Sequence, residues 1–115
     1  MAFANFPCGR GEQNGPPPVE SQGIDSIVEV FPGSGWLVVL SELAGAYDFN
    51  VQPVLQLIGS DDRATGVGGR MLTIDTTPGS REVLIVQQPT GPDPRPFEPG
   101  AGRLAFSLWR KGPSA

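Results

Sequence analysis

The chain has 115 residues, 16 of them Gly and 13 Pro, about a quarter of the whole and roughly twice the usual combined share. Apolar residues still make up 38%, so the excess of backbone breakers predicts short ordered segments joined by many turns, in one domain without long helices. Twelve acidic residues against eight basic ones give a net charge of -4, which argues against a nucleic-acid surface built from Lys and Arg on phosphates.

Residues 1–23, MAFANFPCGRGEQNGPPPVESQG, are rich in Gly and Pro, and their only large apolar side chains are Met1, Phe3, Phe6 and Val19. They are expected to form an extended N-terminal arm outside the core. Pro16, Pro17 and Pro18 favour polyproline II, a stiff and solvated conformation. Phe3 and Phe6 then serve as anchors on a neighbouring subunit, as in an arm that orders on binding. Removing residues 1–22 is expected to leave the remaining domain folded.

A β-domain is expected over residues 24–110, followed by a polar tail, 111–115. Its first strand is residues 24–31, IDSIVEVF, neither face of which is wholly polar. Residues 36–43, WLVVLSEL, make the second, with a helical turn as the alternative for its LSELA end. Residues 47–58, YDFNVQPVLQLI, alternate with period two, as a half-buried antiparallel strand requires. Pro53 cannot donate to a ladder, so this strand is an edge, carries a bulge, or breaks in two.

Residues 59–69 read as an exposed loop. Residues 70–76 and 82–87 read as a hairpin around Thr77, Pro78, Gly79, Ser80 and Arg81. A second Pro-rich loop spans residues 89–102, with Phe97 at its centre as an interface anchor and its prolines stiffening a contact surface. Leu104, Phe106 and Leu108 share one face of the last strand, 104–109. The expected fold is all-β: a small antiparallel β-sandwich, or a small barrel, of six to seven strands. Trp36 and Trp109 are both expected in its core.

The chain has no His, which removes the Ser-His-Asp and Cys-His nucleophile systems and the histidine metal sites together. Cys8 is the lone cysteine; it forms no internal disulfide or thiolate zinc site and reads as incidental. Gly66, Gly68 and Gly69 lack the pattern of a phosphate loop, and Asp61 with Asp62 lacks EF-hand spacing. Asp25, Glu29, Glu42, Asp48 and Asp75 offer carboxylates, but no spacing selects a catalytic pair. No catalytic residue, cofactor or metal is therefore expected, and the chain is read as a non-enzyme. It shows no apolar run of membrane-spanning length and no signal peptide, and is expected to be soluble.

A small β-sandwich with an N-terminal arm and stiff loops resembles, in general layout, the head decoration or cement proteins of phages. That resemblance implies a structural subunit of the virion that adheres to capsid protein on the capsid surface and stabilises the shell. The expected partner-binding residues are Phe3, Phe6, Pro16, Pro17, Pro18 and Phe97, with homo-oligomers as a further form of association. The alternatives are an extracellular module that binds carbohydrate or another surface, and an accessory subunit of another large complex.

Overall fold

The structure, a computed structural model, describes residues 2–11, 20–48, 54–58, 72–88, 95–98 and 102–111, with only the backbone at residues 20 and 54–58. Its strands are β1 (Ala2–Pro7), β2 (Glu20–Gln22), β3 (Ile24–Phe31), β4 (Gly35–Leu40), β5 (Val54–Ile58), β6 (Leu72–Thr76), β7 (Glu82–Gln87) and β8 (Arg103–Leu108). A 3-10 turn, Ala44–Ala46, follows β4. The strands form two antiparallel sheets in the orders β2-β1-β8-β5 and β3-β4-β7-β6. The fold is thus the expected all-β sandwich, and its sheets stay open at their edges instead of closing into a barrel.

The inner faces follow from period-two alternation. Leu104, Phe106 and Leu108 of β8 are fully buried, as are Trp36, Val38 and Leu40 of β4 and Val83 and Ile85 of β7. Side chains from two such faces interdigitate across a layer about 10 Å thick. The hairpin of β6 and β7 forms as expected, with Ile74 opposite Ile85. Its turn is closed by Ser80 N–H donating to the Thr77 carbonyl at 3.0 Å.

The arm is the main correction. Residues 2–7 form β1, an inner strand hydrogen-bonded to β2 on one side and β8 on the other. Ala2, Ala4, Phe6 and Cys8 are buried in the core. The period-two signal was present, since AFANFP alternates Ala2, Ala4 and Phe6 inward with Phe3, Asn5 and Pro7 outward. Its alanines conceal it, because they carry little hydrophobic signal. Their small size is needed here: a Cβ at Gly23 would lie 3.1 Å from the Ala2 Cβ. Gly23, at φ 73°, makes the corner at which the chain leaves the first sheet as β2 and enters the second as β3, a left-handed conformation that suits Gly. Pro16, Pro17, Pro18 and Val19 lie outside the described residues.

The long strand expected over residues 47–58 is broken. Tyr47 makes an isolated bridge with Arg110, and β5 begins at Val54 as an edge strand of the first sheet. Residues 49–53, including Pro53, lie outside the described residues, as do the 59–69 loop with Asp61, Asp62, Gly66, Gly68 and Gly69. Strand β4 ends at Leu40 rather than Leu43, and the helical turn sits slightly later than the LSELA reading, at Ala44–Ala46. Among the described residues no helix is long and apolar enough to cross a membrane.

Candidate interaction surface

Two expected anchors are core residues. Phe6 meets Trp36 edge-to-face, with ring centroids 5.8 Å apart and planes at 62°. Phe97 also lies against Trp36, tilted, at 6.2 Å and 41°. Phe97 is 1% exposed and Phe6 fully buried, so neither can anchor a partner on the folded protein. Phe97 is drawn inward by its backbone, which receives a hydrogen bond from Arg10 N–H and donates one to the Gly33 carbonyl, both 2.8 Å. Segment 95–98 thereby closes one end of the sandwich, with Arg10 and Glu98 paired at 3.1 Å outside it.

Phe3 is half-buried and points outward from β1, opposite Gln22 and Ser107. Its surroundings on that outer face are small or polar: Asn5, Ala105 and Ser107 are half-buried neighbours. Trp36 is in the core as expected. Trp109 is 39% exposed, contrary to the expectation, because it follows inward-facing Leu108 and so falls on the outer side of the alternation.

Three of the candidate carboxylates have backbone or side-chain partners. Glu29 accepts hydrogen bonds from Gly11 N–H at 3.0 and 3.2 Å and from Gly33 N–H at 3.2 Å. Asp25 accepts one from the Ser41 hydroxyl at 2.8 Å. Glu42 pairs with Arg110 through both guanidinium arms, and Arg110 also lies over the Tyr47 ring, 5.9 Å from its centroid. That guanidinium holds the Glu42 carboxyl below its ordinary value, whereas burial, and then the Glu42 charge, push the Tyr47 phenol up. Among the described residues no group of three or more His, Cys, Asp and Glu is placed to hold a metal ion. An open hollow of about 250 Å³ lies beside the 3-10 turn, lined by Ala44, Gly45, Tyr47, Asp48, Thr76, Pro78 and Lys111. Ligand pockets usually start near 300 Å³ and enclose their ligand, so this hollow does not stand out as one.

The feature that does stand out is the outer face of the second sheet. With Trp36, Val38 and Leu40 pointing in, Leu37 and Val39 of β4 point out; likewise Leu84 and Val86 of β7. The register aligns Val28, Leu37, Leu84 and Asp75 in one row across the four strands. Ser26, Val39 and Glu82 make the next row. On the other side Gly35 lies opposite both Phe31 and Val86. A Cβ at Gly35 would meet the Phe31 ring at 2.6 Å, so the ring lies where the glycine has no side chain, a recurrent pairing in sheets. On edge strand β3, Phe31 is 53% exposed, Val30 40% and Val28 38%. The outcome is a mainly apolar sheet face: Leu37, Val39, Leu84 and Val86 at its centre are half-buried, Val28, Val30 and Phe31 along edge strand β3 are exposed, and Ser26, Thr73, Asp75 and Glu82 lie around them.

This surface was missed from sequence, although its signal is there. The runs WLVVL and VLIV have no polar alternation, the pattern of strands covered on both faces. Among the described residues the first sheet covers one of these faces, and Leu37, Val39, Leu84 and Val86 on the other are half-buried. Compared with protein families, with curated proteins and with solved structures, the chain matches none.

Proposed function

We propose that the chain is a non-enzymatic structural assembly protein, a decoration or cement subunit of a virion that adheres to a capsid lattice and stabilises it. The observation that carries this reading is the apolar outer face of β3-β4-β7-β6. An exposed, contiguous apolar patch costs solubility and marks a protein contact more often than a ligand site. The contact surface is therefore a sheet face, in place of the arm expected from the sequence. Phe31 supplies an aromatic anchor at the corner of the patch, and lattice repetition multiplies modest individual contacts. Carbohydrate binding is less well supported, because the face is mainly aliphatic and sugars stack on flat aromatic platforms.

Sedimentation of the purified protein with capsids from its source tests the reading. The expected result is saturable co-sedimentation and a higher temperature of capsid disruption. A chain that stays in the supernatant and leaves capsid stability unchanged would overturn it.

A further inference from the structure

The outer face of the second sheet has a definite geometry, and that geometry bears on what covers it. We infer that it packs on the same face of a second copy of the chain, making a symmetric dimer whose two β3-β4-β7-β6 sheets lie face to face. This rests on the reading of the face as an assembly contact and names its first occupant.

Charge distribution is the first argument. At the outward positions of these four strands there is no Lys or Arg, so the face offers nothing to an anionic surface. Its acids are placed off centre, Asp75 on edge strand β6 and Glu82 at the exposed start of β7. A two-fold axis running along the strands sets β3 of one copy over β6 of the other and β4 over β7. Leu37 then meets the partner copy's Leu84 at the centre. The two Asp75 carboxylates fall on opposite rims, about three strand spacings or roughly 14 Å apart across the sheet. The same patch thus serves both sides as an isologous contact: the two Asp75 carboxylates are kept apart, while the two Glu82 carboxylates lie one strand spacing, about 4.8 Å, apart laterally at one open end of the contact, each over the other copy's Val39.

Size is the second argument. Four strands about 4.8 Å apart and three outward rows give roughly 400 Å² of projected area. Side-chain relief raises the accessible area toward about 600 Å² per copy, the low end for specific interfaces. That size suits a reversible dimer.

Sedimentation equilibrium between about 5 and 500 µM tests the dimer on the free protein. Wild type is expected to show a monomer–dimer equilibrium. Leu84→Lys, at the centre of the patch, and Phe31→Lys, on the exposed edge and opposite the partner copy's Thr73, should each weaken dimerisation at least tenfold while keeping the wild-type circular dichroism spectrum. Phe3→Lys, on the outer face of the other sheet, should leave it unchanged. A wild type that is monomeric throughout, or folded Lys variants that dimerise as well as wild type, would overturn the dimer. The two readings separate on capsid binding: a monomer that still co-sediments with capsids sinks only the dimer, and a dimer that ignores capsids sinks only the decoration role.

Discussion

Phe6 and Trp36 meet edge-to-face at 5.8 Å across the interior of the sandwich, one from β1 and the other from β4. The first and second sheets are therefore joined through a residue that lies six positions from the start of the sequence. Phe97 completes the cluster from a loop. Three aromatic rings, drawn from segments far apart in the chain, fill one end of the core.

Truncating Phe6 to Ala should cost about 3–5 kcal/mol, the usual range for deleting a buried aromatic ring, whereas Phe3→Ala should cost less than about 1 kcal/mol. Urea denaturation read by Trp fluorescence compares the two. Removal of residues 1–22 should unfold the protein outright, because it takes away β1 and β2, bares the edge of β8 and strips Ala2, Ala4, Phe6 and Cys8 from the core. A truncated chain with native circular dichroism would contradict the placement of β1. Trp36→Phe is a milder change in spite of its position. Among the described residues the buried Trp36 indole N–H has no hydrogen-bond partner, and removing such a donor relieves its desolvation cost.

Gly33→Ala should destabilise by about 1–3 kcal/mol, the range for a non-Gly residue held in strained backbone. Gly33 has φ 67°, and a Cβ there would come within 2.5 Å of the Phe97 carbonyl oxygen. Gly79 is the control in the β6–β7 turn, because nothing lies within 4 Å of its added Cβ. Thermal melts of the two Ala variants should separate them clearly.

Glu42 contributes to the acid side of the stability curve. Its folded pKa lies below the ordinary 4.5 because of the Arg110 guanidinium. The stabilisation is present above the unfolded value and is lost as pH falls through the folded one. Arg110→Ala should therefore flatten the loss of stability below about pH 4.5, by a small amount, since the pair is exposed and screened by solvent. Tyr47 acts on the alkaline side. Burial raises its phenol above the ordinary 10.0, so its stabilisation is complete below the unfolded value and lost as pH rises through the folded one. Melts across both pH ranges test both signs.

Cys8 is buried, with its thiol donating to the Gly102 carbonyl at 3.5 Å. It should be silent toward a thiol reagent in the native protein and react fully in denaturant. Native-state labelling should proceed only at the rate at which the end of the sandwich opens. Phe97→Ala, which removes the ring from that end, should accelerate it at least tenfold.

Much of the fold is legible in the sequence because strand periodicity is local. Residues 24–31 and 82–87 match β3 and β7 as read, and the alternation of Leu104, Phe106 and Leu108 names the buried face of β8. Turn chemistry around Pro78 and Gly79 sets the hairpin between β6 and β7 in the same way. Composition alone already excluded imidazole chemistry.

What tertiary structure decided is which apolar residues face which neighbour. Phe6 and Phe97 stand in Gly- and Pro-rich stretches that resemble exposed arm and loop; only the pairing of β1 with β8, and the clamping of Phe97 between Arg10 and Gly33, carries them inside. Conversely, hydrophobicity alone does not separate Leu37, Val39, Leu84 and Val86 from Trp36 and Ile85, and alternation turns the four to the outer face once Trp36 and Ile85 have taken the inner one. A run of apolar residues states that both sides of a strand are greasy, but only the arrangement of the two sheets determines which side is left for a partner, because burial is a property of what packs opposite and not of the residue itself.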